Sequence, residues 1–231
     1  MGTSYNPRIV TDGLVFCVDA ANKRSYPGAG TTWTDLTANK NNVTLVNGPS
    51  FTNNNAGGIA FDGTNDRATF TSSASSSLQS CEVWTNCIAS ASAADGYAYI
   101  MHNNGSDTTT GNSYLTIGIR PTQEYYAAFN GAYASMGGGV TANNSNIVQI
   151  ILTWDGSSQK MYINGNLKNS QSLTSISNTF SNTTSCGDAK DAGPGGYRKI
   201  QGNIYIIKTY NRALTPDEIR QNYLATKGRY Q

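Results

Sequence analysis

Residues 147–167 read IVQIILTWDGSSQKMYINGNL: a strand-length apolar run, a polar loop, a second strand and a turn. The run at 147–154 is the longest apolar stretch of the chain, and its length suits a strand rather than a membrane span. Asn164 and Gly165 follow the second strand, and this pair favours a type I′ hairpin turn because both central residues of that turn need positive φ. The stretch therefore predicts antiparallel strands joined by tight turns.

The same pattern recurs along the chain. In residues 114–120 the alternation is strict, with Leu115, Ile117 and Ile119 on one face, which predicts a half-buried strand. A dozen or so strands with polar turns between them favour two packed antiparallel sheets. The other strand-like segments lie at residues 13–19, 43–46, 59–62, 67–70, 82–88, 97–101, 125–129, 160–163 and 202–209.

One helix is predicted close to the end of the chain. Thr215 is a suitable N-cap, Pro216 takes the first helical position, and Glu218 completes a capping box. Leu214 and Ile219 occupy the two positions of a hydrophobic staple. Because so short a helix is not stable alone in water, we expect it to pack on the sheets.

The composition fits one folded domain. Charged residues are 13% of the chain, against about 25% in typical soluble domains, and the difference is made up by Ser, Thr, Asn and 24 Gly. The 14 Tyr, 6 Phe and 3 Trp residues are enough to seed a core. We predict one domain over residues 12–231, preceded at residues 1–11 by an N-terminal arm that could dock to a partner and order on assembly.

Charge and hydropathy exclude two classes of partner. The net charge is +2 with Lys and Arg scattered singly, so the basic stripe of a nucleic-acid-binding protein is absent from the sequence. No apolar stretch approaches the length of a membrane span, so membrane insertion is not expected. The first residues carry no signal-peptide pattern, so we expect the chain to fold in a cytoplasm.

Four stretches spread over most of the chain match a known superfamily. They are GLVFCVDAAN (residues 13–22) running on to TWTDL (32–36), IAFDGTND (59–66), WDG with MYING (154–165), and the segment at 202–230 that contains YNRALT. The chain resembles the laminin-G-like, concanavalin A-like jelly-roll superfamily, and more narrowly its members among the structural proteins of tailed bacteriophages. The resemblance implies an all-β fold, a two-sheet antiparallel jelly-roll sandwich with one short C-terminal helix.

The resemblance also implies a role at a surface. The opening and closing stretches look like those of virion proteins, so we expect a non-enzymatic protein at the virion surface, a capsid decoration or fibre component, assembled in the host cytoplasm. Its partner would be a phage capsid or tail structural protein, and it could form a homo-oligomer. The alternative is a carbohydrate-binding adhesin that recognises host surface glycans.

The residues that catalysis would need are missing from the sequence. Glycosidases of the superfamily resemble one another in a Glu-x-Asp-x-Glu strand, whereas Glu82, Glu124 and Glu218 are isolated here. His102 is the single histidine, and no G-x-S-x-G elbow accompanies it. We therefore predict no catalytic residue, no required cofactor, and four cysteines that are buried free thiols.

Two candidate binding sites remain. Asp62 and Asp66 flank a turn and could supply oxygen ligands to Ca²⁺, or they could cap backbone N–H groups of that turn. Tyr125, Tyr126 and Tyr133 cluster around a Gly-rich segment and could form a platform for a sugar, or they could pack in the core.

Overall fold

The computed structural model describes residues 7–71, 78–93, 96–104, 113–129, 136–176, 183–187, 189–190 and 197–230. The strands, in chain order, are β1 Leu14–Asp19, β2 Thr32–Trp33, β3 Val43–Val46, β4 Ser50–Thr52, β5 Gly58–Asp62, β6 Arg67–Thr71, β7 Ser80–Thr85, β8 Ile88–Ala89, β9 Ala98–Asn104, β10 Ser113–Ile119, β11 Glu124–Phe129, β12 Met136–Thr141, β13 Val148–Trp154, β14 Ser158–Ile163, β15 Asn166–Ser172, β16 Thr183–Gly187, β17 Ala189–Lys190, β18 Tyr197–Arg198 and β19 Ile200–Tyr210. A short 3-10 turn spans Asn54–Ala56, and the helix α1 spans Pro216–Lys227.

Within the described residues the strands form two large antiparallel sheets. One has nine strands, in the order β15-β14-β13-β7-β19-β5-β4, with β1 and β8 also paired to β19. The other has eight strands, in the order β12-β11-β10-β9-β16-β6-β3-β2, and β17 and β18 form a separate hairpin. The predicted fold, a two-sheet antiparallel jelly-roll sandwich with a C-terminal helix, is confirmed.

The core lies between the two sheets and follows from the alternation of side chains along each strand. Leu115, Ile117 and Ile119 of β10 are buried in it, as their spacing predicts. Phe16 from the nine-stranded sheet stacks on Phe70 from the eight-stranded sheet, with ring centroids 4.3 Å apart. All four cysteines are free and buried, as expected from the sequence.

The start of α1 has the geometry that the sequence predicts. The Thr215 side chain accepts a hydrogen bond from the Glu218 backbone N–H at 3.3 Å, and the Glu218 carboxylate accepts one from the Thr215 backbone N–H at 2.9 Å. Arg212 donates to the same carboxylate at 2.9 Å. Leu214 and Ile219 are both buried in one small cluster under the helix. No helix in the described part of the chain is long and apolar enough to cross a membrane.

The described end of the predicted N-terminal arm lies against α1 and β19. Val10 is buried, its N–H donates to Asn222 Oδ1 at 2.8 Å, and its carbonyl accepts from the Tyr210 hydroxyl at 3.2 Å. Gln221 donates to the Arg8 carbonyl at 2.7 Å. Residues 1–6 lie outside the described residues, and a docking role for the arm stays a prediction.

A buried carboxylate sits beneath α1, on the outer face of the nine-stranded sheet. Glu82 of β7 is fully buried, and its Oε1 accepts hydrogen bonds from Lys208 at 2.9 Å, Trp84 at 2.8 Å and Gln149 at 3.1 Å. Its Oε2 accepts from Asn222 of α1 at 2.9 Å. Glu82 looks isolated in the sequence, whereas in the fold it joins three strands and the helix.

The capping carboxylate gives the first testable prediction. The hydrogen bond from Arg212 lowers the pKa of Glu218 from 4.5 to about 2. A lowered pKa stabilises the folded state fully above the unfolded value, and this contribution is lost as the pH falls through the folded value. At neutral pH we expect Glu218→Gln to reduce the free energy of unfolding by about 1 kcal/mol.

Chemical denaturation of the wild type and of Glu218→Gln between neutral and acidic pH measures this effect. The difference between the two proteins should shrink as the pH falls from about 4.5 towards about 2. Asp217→Asn is the matched control, because Asp217 is an exposed carboxylate of the same first turn. A difference that does not depend on pH would show that the charge of Glu218 has no part in the stabilisation.

Candidate functional site

A row of polar side chains crosses the outer face of the eight-stranded sheet. The strand register places Thr116, His102, Ser185, Thr69, Thr44 and Thr32 side by side on β10, β9, β16, β6, β3 and β2. The adjacent row contains Cys186, Ala68 and Leu45 and faces the core. Because neighbouring residues of a strand point to opposite faces, the polar row points away from the core. We call it the hydroxyl row.

The hydroxyl row is buried at one end and open at the other. Thr116 and His102 are buried, Thr69 is partly exposed, and Thr44 and Thr32 are exposed. At the open end a groove of about 480 Å³ follows the sheet surface. We call it the edge groove, and its lining consists of Lys40, Asn41, Asn42, Thr44, Thr69, Phe70, Thr71 and Thr183.

The buried carboxylate of Asp35 holds the loop that contains Lys40, Asn41 and Asn42, which forms one wall of the edge groove. Asp35 is fully buried, and its oxygens accept hydrogen bonds from the backbone N–H groups of Cys17, Thr37 and Asn41 at 2.9–3.0 Å. The Asp35 N–H in turn donates to the Asn42 side chain at 3.0 Å. The loop is therefore anchored to β1, and the groove wall does not depend on a bound ligand for its shape.

Aromatic and cationic side chains pack against the buried end of the row. His102 stacks on Tyr99 with ring centroids 4.1 Å apart, and its Nδ1 lies 3.1 Å from the Thr116 hydroxyl. Arg198 donates to the Tyr99 hydroxyl, and its guanidinium carbon lies 5.1 Å from the ring centre of Tyr97. The polar groups at this end are therefore engaged with one another.

The structure places two of the three predicted platform tyrosines inside the protein. Tyr125 is fully buried, points into the core and donates to the Cys87 carbonyl at 3.2 Å. Tyr126 is 1% exposed and lies over Gly118, where a Cβ atom would come within 2.8 Å of its ring. This corrects the prediction of a sugar platform at Tyr125 and Tyr126, because a buried ring offers no face to a sugar. Tyr133 lies outside the described residues.

The two candidate metal ligands take part in their own turn. Asp66 Oδ2 accepts from the Asp62 N–H at 2.9 Å, and Asp62 Oδ1 accepts from the Thr64 N–H at 2.7 Å. Burial raises the pKa of the Asp66 carboxyl. Two carboxylates fall well short of the roughly six to eight oxygen ligands that Ca²⁺ takes. In the part of the chain that the structure describes, no group of three or more His, Cys, Asp or Glu side chains could hold a metal ion. Calcium binding at Asp62 and Asp66 stays a prediction.

The hydroxyl row was not predicted from the sequence. Thr69 and Thr71 alternate with buried Ala68 and Phe70, and this local signal was available. The pairing of β6 with β3 and β16 was not, because those strands lie far apart in the sequence.

Comparison with known proteins identifies the superfamily to which this chain belongs. Residues 62–220 match the Laminin_G_3 family model, described as the concanavalin A-like lectin/glucanases superfamily. The match covers more than half of the chain, and the protein therefore belongs to this superfamily. No curated protein sequence matches the chain.

Solved structures with the same fold include an enzyme and toxin domains. The Trypanosoma rangeli sialidase in complex with sialic acid aligns with a TM-score of 0.66 at 15% identity, over 96% of this chain and 36% of the sialidase. The botulinum neurotoxin serotype D binding domain aligns with a TM-score of 0.62 at 14% identity, over 92% of this chain and 51% of that one. This chain therefore spans about a third to a half of these proteins, and the likeness shows the fold alone.

The prediction that this protein catalyses nothing is contradicted. It rested on missing motifs, yet a sialidase, which is an enzyme, is among the proteins that share the fold. At 15% identity that likeness assigns no activity to this chain either.

The single histidine gives the second prediction. Burial and the nearby Arg198 charge lower the pKa of His102 from 6.5 to about 3. The unfolded chain therefore takes up the proton first, and the free energy of unfolding falls as the pH drops from about 6.5 towards about 3. An NMR titration of the imidazole should show no protonation near the ordinary value of about 6.5.

His102→Gln is the comparison for this effect. The variant lacks the ionisable ring, so its stability should lose less on acidification than that of the wild type, as measured by chemical denaturation at several pH values. A ring that titrates near its ordinary pKa would show that His102 is open to solvent.

Proposed function

We propose that this protein binds a glycan in the edge groove. The observation that carries the proposal is the lining of the groove, in which threonine hydroxyls, asparagine amides and the Lys40 ammonium surround a cavity on a sheet face. Sugars present hydroxyl groups that both donate and accept hydrogen bonds, and hydroxyl and amide side chains match both roles. The volume of about 480 Å³ lies within the range of small-ligand pockets.

The lining residues are held in place before any ligand arrives. The four threonines of the lining lie on strands, and their β-branched side chains have few rotamers: Thr44, Thr69, Thr71 and Thr183. Side chains that are ordered in advance lose little conformational entropy on binding, which favours affinity.

Lys40 favours an acidic sugar over a neutral one. Its exposed ammonium lies at the groove and can pair with a carboxylate of the ligand. Support also comes from the sialidase that shares the fold, which was solved in complex with sialic acid, a carboxylated sugar.

Conservative substitutions in the groove test the proposal. Thr44→Val and Thr69→Val each remove one hydroxyl and keep the β-branched shape, so the fold should be unchanged. Each lost hydrogen bond is worth about 0.5–1.5 kcal/mol, which corresponds to a roughly two- to tenfold weaker affinity. A glycan array identifies the ligand, and calorimetry with that glycan measures the affinity.

Thr174→Val is the matched control, because Thr174 is an exposed threonine outside the groove. Its affinity should equal that of the wild type. A blank array, or unchanged binding by both groove variants, would contradict a glycan site here.

We further propose that the glycan-binding domain is carried on the virion surface of a tailed bacteriophage, docked to a capsid or tail structural protein. Support comes from the resemblance of residues 13–22 and 202–230 to virion proteins. The placement of the two functional surfaces also favours it. The end of the N-terminal arm and α1 cover the nine-stranded sheet, whereas the edge groove opens on the eight-stranded sheet. Docking through the arm would leave the groove free.

The proposal that the protein is carried on the virion surface is tested on purified phage particles. Mass spectrometry should find the protein in the particles at a fixed copy number, and an antibody against the edge groove should label intact particles. A protein made in infected cells but missing from purified particles would rule out the virion role and leave the glycan site unaffected.

A further inference from the structure

An amine and a carboxamide meet at the buried Glu82 carboxylate. Lys208 Nζ lies 2.9 Å from Glu82 Oε1, and Asn222 Nδ2 lies 2.9 Å from Glu82 Oε2. The nucleophilic and the acylating group are therefore each one hydrogen bond away from opposite oxygens of the same acid–base group. Lys208 is 2% exposed, and Glu82 and Asn222 are fully buried, so bulk water is kept away.

We propose that Lys208 and Asn222 form an intramolecular isopeptide cross-link, with Glu82 as the catalytic acid–base residue. Such a bond needs an amine, a carboxamide, a proton carrier between them and a dry site. The structure supplies all four.

The step balances without an added reactant. Lys208 Nζ gives a proton to Glu82, and the neutral amine attacks Cγ of Asn222 so that the Nζ–Cγ bond forms and the C=O pair moves to Oδ1. Glu82 then protonates Nδ2 and takes the second proton from Nζ. The Cγ–Nδ2 bond breaks, and Nδ2 leaves as ammonia, which takes the remaining proton from Glu82 and departs as ammonium. Glu82 ends as it began, a carboxylate.

A backbone donor stands where negative charge would develop. The Val10 N–H donates to Asn222 Oδ1 at 2.8 Å in the resting arrangement. The same N–H would stabilise the oxyanion of the tetrahedral intermediate, as backbone donors do in acyl transfer. The described end of the N-terminal arm would then take part in the chemistry as well as in packing.

Further contacts hold Glu82 and Asn222 in place. Trp84 and Gln149 donate to Glu82 Oε1 and fix the plane of the carboxylate, and the Tyr210 hydroxyl lies 2.9 Å from Asn222 Nδ2. Groups fixed close together in this way react with a high effective concentration. The product would tie α1 covalently to β19.

Mass spectrometry of the intact, folded protein tests the proposal. The loss of one ammonia lowers the chain mass by about 17 Da. Fragmentation of a digest should then yield a branched peptide that joins residues 208 and 222. The measurement is made on fresh protein and again after prolonged incubation, because the reaction follows folding and can be slow.

Three variants separate the roles. Glu82→Gln keeps the amine and the carboxamide but removes the base, so it should retain the full sequence mass. Lys208→Met should do the same, whereas Lys160→Met, at a surface lysine paired with Asp155, should still lose ammonia. If Glu82→Gln does not fold, the branched peptide of the wild type still decides the question. A wild-type mass equal to the sequence mass after incubation, or an ammonia loss that maps to another asparagine, would overturn the proposal.

Discussion

The buried carboxylate of Glu82 is the constraint on which the nine-stranded sheet and its helix depend. A buried carboxylate that is shielded from water needs hydrogen-bond donors in place of the water. Four donors from separate elements supply these bonds to Glu82. Lys208 comes from β19, Gln149 from β13 and Asn222 from α1, so the position of each element is fixed by the same carboxylate. Removing one member of a buried pair leaves the other uncompensated, at a cost of about 3–5 kcal/mol. This geometry explains why α1 lies over β7 and not elsewhere on the sheet.

The two outer faces of the sandwich consequently differ in how they are covered. The helix and the end of the arm close the face of the nine-stranded sheet, where Trp84 stacks on Tyr223 with ring centroids 5.9 Å apart. The face of the eight-stranded sheet keeps its polar row, and no helix of the described chain covers it. A sheet face that stays polar and open at Thr44 and Thr32 is available to a ligand. Binding there leaves the packed face undisturbed.

Local patterns in the sequence predicted local structure well. The capping residues Thr215 and Glu218 fixed the start of α1, and the alternation in residues 114–120 identified the buried face of β10. What failed depends on contacts between distant residues. Glu82 looked isolated because Lys208 lies 126 positions away, and the burial of Tyr126 follows from the space above Gly118 on a neighbouring strand. Periodicity predicts which face of a strand is buried. Only the pairing of strands shows which residues of different strands lie side by side.

The chemistry of the edge groove bears on how the protein would act. Its lining offers hydrogen bonds, each worth about 0.5–1.5 kcal/mol in water, while the Tyr125 and Tyr126 rings that could have stacked on a sugar are buried. One such groove would hold a glycan weakly. Many copies on one particle would raise the overall affinity by about 10²–10⁴-fold if their spacing matched that of the glycans. The proposed docking surface and the edge groove lie on opposite faces of the sandwich, so under both proposals each copy could be attached and still present its groove outward. Weak single sites also let a particle detach and rebind, which a single tight site would prevent.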